Sequence, residues 1–170
     1  TIPGYVDLFS ATFPDDPDPM NYANVGRAIG AFERELLTPG RWDALLQGEA
    51  DALTYDEKAG LVTFVNTGCM VCHAGLTDTG RFAVTGQDVD LFVFKAPSLR
   101  NIAVTGPYLH DGSITSLAET VQLMGRHQLG RELAEDEIVG IVTFLNALTG
   151  DLPADAIAAP ELPASGPDTP

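Results

Sequence analysis

Both cysteines of this chain stand in one ten-residue stretch, NTGCMVCHAG at 66–75, as Cys69 and Cys72, and His73, one of three histidines, follows directly. That grouping constrains the fold more than any other feature. Two thiols three residues apart cannot build a disulfide framework, and a bond between them would close too small a loop to add much stability. A redox dithiol of the thioredoxin kind wants a βαβ setting, which the surrounding pattern lacks. A zinc site wants two more ligands close by, and this chain has no further thiols to supply them. Sulfurs one helical turn apart do, however, match the two vinyl groups on one porphyrin edge, and the adjacent histidine can turn its imidazole under the ring. C-x-x-C-H is the attachment motif of c-type haem. The chain is therefore expected to hold one covalent haem c on Cys69 and Cys72, with His73 as the proximal iron ligand.

The rest of the pattern is mainly helical. In NYANVGRAIGAFERELL, Val25, Ile29, Phe32 and Leu36 recur at helical spacing, and Pro39-Gly40 stops the run. RWDALLQG predicts a short helix. Thr54 with Glu57 forms a capping-box pattern that opens a helix through Leu61, Phe64 and Val65 and leads into Cys69, and Ser116 with Glu119 repeats it ahead of Leu117, Val121 and Met124. The last helix starts on Glu135, Asp136 and Glu137, has a face of Ile138, Ile141, Val142, Leu145 and Leu148, and stops by Gly150. Between His73 and Lys95, AGLTDTGRFAVTGQDVDLFVF reads as loops with a candidate small β-hairpin. The expected organisation is an irregular arm at 1–20 with at most one helical turn around Val6 to Phe9, a cytochrome c-like helical haem domain at 21–151 with long ordered loops, and a Pro/Ala-rich tail at 152–170.

Composition sets outer bounds. Twenty-four acidic against nine basic residues give a net charge of −15, which disfavours nucleic acid and anionic membranes and would attract cationic partners. A solubility charge without a dedicated partner accounts for it equally well. No run approaches the roughly 18–20 apolar residues of a membrane span. The chain opens on Thr1 without a basic-then-apolar leader, and so reads as a mature or trimmed product.

The sixth iron ligand decides what such a haem does, because a filled His/Met site favours electron transfer and an open one binds peroxide or gas. Met70 lies inside the attachment loop and cannot reach the opposite haem face. Met20 lies in the proline-rich arm. Met124, on a core-facing helical stripe well after His73, is the favoured distal ligand, although methionines on such stripes commonly just fill the core. His110, in PYLHDGS, and His127, in GRHQLG at a helix end, are the bis-histidine alternatives; their ordinary readings are a hydrogen-bonded loop residue and an exposed helix-end residue. Lys95 and Arg100, in FKAPSLRN, are candidate partners for the haem propionates, with surface salt bridges as the equal alternative. Trp42 is expected to pack in the core.

Taken together, IGAFERELLTPG, GCMVCHAG, FKAPSLRNIAVTGPYLHDGS, ETVQLMGRHQLG and FLNALTG, in that order, resemble the C-terminal haem domain of the bacterial di-haem cytochrome c peroxidases, a family that includes the MauG-type enzymes. The resemblance implies two packed cytochrome c folds, an N-terminal haem that reacts with peroxide and a His/Met-ligated C-terminal haem that relays electrons. It places the proximal ligand at His73 and the methionine at Met124; a tyrosine there would have pointed to the MauG branch. It further implies a periplasmic location, a small redox protein as electron donor (a cytochrome c or cupredoxin), and a calcium ion between the domains, partly on backbone carbonyls of a T-x-P segment matched by Thr105 and Pro107. The family's second C-x-x-C-H and its distal Gln/Glu pair have no counterpart here. On this resemblance the chain is an electron-transfer domain and, with both axial positions filled, not a peroxidase by itself. The alternative is one part of an active hydrogen peroxide-reducing enzyme whose second haem domain lies elsewhere; a weaker one is a haem-based sensor with a displaceable ligand. The arm IPGYVDLFSATFP resembles the family's interdomain connection, which favours a piece of a di-haem protein over a natural one-haem protein.

Overall fold

The computed structural model describes residues 2–73, 87 and 96–164. The expected hairpin and Lys95 lie outside the described residues. Among the described residues the helices are α1 (Pro3–Thr12), α2 (Tyr22–Glu35), α3 (Arg41–Leu46), α4 (Tyr55–Asn66), α5 (Met70–His73), α6 (Leu117–Gln128), α7 (Glu135–Ala147) and α8 (Ala154–Ile157), with 3-10 turns at Ala50–Ala52 and Ile102–Val104. Among the described residues, extended pairing is limited to two isolated bridges, Gly40 with Gly150 and Tyr108 with Ile114. The described residues are mainly helical, as the periodicity predicts, and so consistent with the cytochrome c-like domain that the motif and the resemblance imply.

The chain divides into two compact units, residues 39–151 and residues 1–38 with 152–170. The larger unit therefore begins at 39 rather than at the expected 21, and α2 groups with the arm and the tail.

Residues 39–151 enclose an apolar core of Phe64, Val121, Leu133, Ile141, Phe144, Leu145 and Leu148. Helices α4 and α6 both pack on α7, with α4 making the more extensive contact. That contact is close because Gly60 meets Gly140: a Cβ on Gly60 would run into the Gly140 carbonyl, so only glycine permits this approach. Trp42 stands edge-on to Phe144 with centroids 5.5 Å apart, and Phe64 lies 5.4 Å from the same ring. Trp42 is thus partly buried core packing. The cap of α4 forms as its sequence predicts: Thr54 Oγ1 accepts from Glu57 N at 3.2 Å, and Glu57 Oε2 accepts from Thr54 N at 2.8 Å. Ser116 Oγ likewise accepts from Glu119 N at 3.3 Å at the start of α6.

In the other unit the arm differs from expectation. It carries a ten-residue helix, α1, because Pro3 sits at its first turn, where a proline costs no hydrogen bond, and the remaining arm prolines fall after Phe13. The Pro-rich turn behind it is tied by amides. Asn24, fully buried, donates to Asp16 Oδ2 (2.9 Å) and Pro19 O (3.0 Å) and accepts from Arg27 Nη1 (2.7 Å). Asn21 caps α2 by accepting from Asn24 N at 2.9 Å. The Asn24 amide beside it holds the Asp16 carboxyl below its ordinary range. The described part of the tail forms α8 and brings Pro163 against Gly4 of α1. Pro153 and residues 155–160 line a shallow groove with Phe32 and Glu35.

Candidate haem-binding site

Helix α4 ends in a turn through Gly68, whose φ of +96° is open to glycine at little cost. The Cys69 amide donates back to Phe64 O at 3.2 Å, and the His73 amide donates to Cys69 O at 3.1 Å. Cys69, Cys72 and His73 thereby share one helical turn at the end of α4. Cys69 is half-buried against the core and lies 3.3 Å from Thr67 Oγ1, while Cys72 is exposed. Neither thiol is held in a disulfide, as covalent attachment to a haem requires.

The His73 ring is oriented from two sides. It lies 6.3 Å from the Phe64 ring, and its Nδ1 stands 3.2 Å from the carbonyl oxygen of Pro97, a group that can only accept. A contact to such an acceptor needs the proton on Nδ1, and a neutral ring that makes it carries its lone pair on Nε2, the tautomer a metal-ligating imidazole needs. The donor set, two cysteines outside any disulfide and an imidazole with its Nε2 left to ligate on one helical turn, fits a covalently held haem.

The other sequence candidates are placed less tightly. Met124 is half-buried on α6, one turn after buried Val121, and α7 is the common support of α6 and of α4, which delivers the cysteines. Met20 belongs to the smaller unit. His110 is exposed after Leu109, which takes a left-handed φ of 68°, and neighbouring Asp111 is held below the usual carboxylate range chiefly by Ser113. His127 is exposed in the last turn of α6. Thr105 and Pro107 are both exposed beside buried Tyr108, whose hydroxyl donates to Ile102 O at 3.0 Å. Among the described residues no group of three His, Cys, Asp or Glu side chains is placed to hold a metal ion.

Arg100 is engaged by protein: Nη2 and Nη1 donate to Asp43 Oδ1 and Oδ2 at 2.6 and 2.8 Å. A second fork joins Arg41 to Glu57 at 2.5 and 2.7 Å; Arg41, with help from Thr54, holds the Glu57 carboxyl at about 2. Pro97, Asp43 and Asn101 are the site's neighbours that sequence reasoning missed. The signal within reach was Asn101, a residue type that tolerates the left-handed backbone (φ 60°) it adopts.

The helical fold and the C-x-x-C-H turn define a cytochrome c-like domain. Comparison with known proteins makes this specific. The family model described as di-haem cytochrome c peroxidase matches residues 1–51. The cytochrome c551 peroxidase of Pseudomonas aeruginosa is 39% identical over all of this chain and 56% of its own length. That of Nitrosomonas europaea is also 39% identical, again over the whole chain and 56% of its length. A crystal structure of a MauG-like protein associated with microbial copper homeostasis superposes with a TM-score of 0.67 at 29% identity, covering 92% of this chain and 61% of that one. The chain belongs to the di-haem cytochrome c peroxidase and MauG family, and it spans about half the length of the curated relatives it matches. The relationship covers the whole chain, including the arm whose sequence resembles the family's interdomain connection.

Proposed function

We propose that this chain is a c-type cytochrome domain that transfers single electrons through one haem held by Cys69 and Cys72, with His73 proximal and Met124 distal. The observation that carries this reading is the His73 Nδ1 contact to Pro97 O, which leaves Nε2 to ligate iron on the same helical turn as two cysteines that form no disulfide. When bound, the haem supplies a one-electron ferric/ferrous couple. Cys69 and Cys72 would hold the macrocycle beyond the end of α4, and His73 would ligate the iron. A Met124 thioether as the second ligand would raise the reduction potential and close the site to peroxide.

The unit at 39–151 is the proposed haem domain. Lys95 and Arg100, the latter also forked to Asp43, are the proposed propionate contacts. Thr105 and Pro107 are the proposed backbone donors to a calcium ion. The acidic surface suits a small, positively charged redox donor, a cytochrome c or cupredoxin, encountered in the bacterial periplasm. The absorption spectrum tests the ligand pair. The haem-loaded chain should be low-spin with a weak long-wavelength sulfur-to-iron band, and Met124→Ala should lose that band and admit external ligands. A high-spin spectrum in the unsubstituted chain contradicts the assignment.

A second reading is favoured by one observation: the relatives named as peroxidases are nearly twice as long as this chain. On that reading the domain is the electron-accepting half of a hydrogen peroxide-reducing enzyme with a second haem domain. Peroxide turnover by the loaded chain alone should be negligible and should return when a peroxidatic haem domain is supplied. Turnover by the chain alone would reject the division of labour.

A further inference from the structure

We propose that Arg100 and Asn101 form a two-sided clamp that positions the proximal imidazole, acting through the carbonyl of Pro97. The clamp rests on the assignment of His73 as an iron ligand.

Pro97 and Ser98 are exposed, and no helix holds the run 96–101, yet Pro97 O must keep its place to orient His73. The holding groups come three and four residues later. On one side the Arg100 guanidinium forks onto Asp43 at 2.6 and 2.8 Å, and Asp43 Oδ2 also accepts from Gly40 N at 2.9 Å, which fixes it in the first turn of α3. On the other side Asn101 N donates to Leu148 O at 3.1 Å, and Asn101 Oδ1 accepts from Gly150 N at 2.9 Å, just past the end of α7. Between clamp and carbonyl the chain has little slack. Ser98 Oγ accepts from Arg100 N at 3.2 Å, and Leu99 packs on the apolar core. Pro97 O is thus referenced to α3 and to the end of α7 rather than left on an unanchored loop.

The Arg100–Asp43 pair is partly exposed, with side chains 43% and 23% accessible, so its contribution to stability is small. Its consequence is geometric. A well-placed acceptor at Nδ1–H makes the imidazole a stronger electron donor, which favours ferric iron and lowers the reduction potential. Arg100 and Asn101 are therefore positioning residues that tune the iron without touching it.

The test uses the full chain matured with haem, and two variants. Arg100→Ala removes the fork; Asn101→Gly keeps the left-handed backbone and deletes the carboxamide. Two quantities are read, the solvent exchange of the His73 Nδ1 proton by nitrogen-15 NMR of the reduced protein, and the reduction potential. Each variant should speed that exchange by roughly tenfold or more and move the potential upward, and the double variant should exceed either. Arg100→Lys, which keeps the charge beside Asp43 without the fork, should fall between wild type and Arg100→Ala. If Arg100→Ala loses its helical circular dichroism, Asn101→Gly carries the test. Wild-type exchange and potential in folded variants would overturn the clamp. A wild-type chain that takes up no haem would instead overturn the functional reading beneath it.

Discussion

The two units bury different chemistry. Residues 39–151 close around apolar side chains, with Ile141 and Phe144 at 1% and 3% exposure, whereas in the described part of the other unit the only buried residue is an amide, Asn24. There Ile29 and Phe32 remain half exposed on α2 although their spacing is that of a core stripe. An amphipathic stripe tells that a helix will form; it does not tell which unit will cover it. Among the described residues the apolar core belongs to the larger unit, and Cys69 of the C-x-x-C-H turn packs against it.

The largest effect that would sharpen this contrast is expected from Phe144→Ala. It removes the ring that both Trp42 and Phe64 contact and should cost about 3–5 kcal/mol in denaturant unfolding. Next, Asn24→Ala leaves Asp16 and Arg27 without their shared partner. A loss of about 2 kcal/mol is expected, read as faster amide exchange in α2 while α4 and α7 keep their protection. If α7 loosens equally, the units are not independently stabilised.

Glu57 gives a pH-dependent test confined to the larger unit. Its carboxyl is lowered from 4.5 to about 2 by Arg41 and then Thr54, so the folded state binds fewer protons than the unfolded one. The stabilisation is complete above pH 4.5 and is lost as the pH falls toward 2. Because the Arg41 side chain is 51% exposed, the stake is about 1–2 kcal/mol. Glu57→Gln should flatten that part of the stability–pH curve; an unchanged slope would show that the fork contributes nothing. The smallest effect is expected from Phe32→Ala, under about 1 kcal/mol, since its ring is 51% exposed. A loss comparable to that of Phe144→Ala would erase the distinction between the units.

The elements of the larger unit were legible because their signals are local. Thr54 and Glu57 sit three residues apart, and the face of α7 repeats within one helix. The C-x-x-C-H turn was legible for the same reason. Helix α1 was misread because proline was counted as a breaker without regard to its position at the first turn. The smaller unit was missed because α2 groups with a tail more than a hundred residues away, and no pattern within α2 encodes that. The surroundings of His73 were equally hidden: Pro97 is 24 residues from His73, and Arg100 is 57 from Asp43. Such pairings are set by how α3, α4 and α7 pack.

The most direct test of the central claim is the intact mass of the chain produced alongside c-type haem maturation, read together with Cys69→Ser/Cys72→Ser. The wild-type chain should gain the mass of one haem that survives denaturation, and the double variant should gain none. A wild-type chain that gains no haem, or haem that washes out on unfolding, would contradict the account.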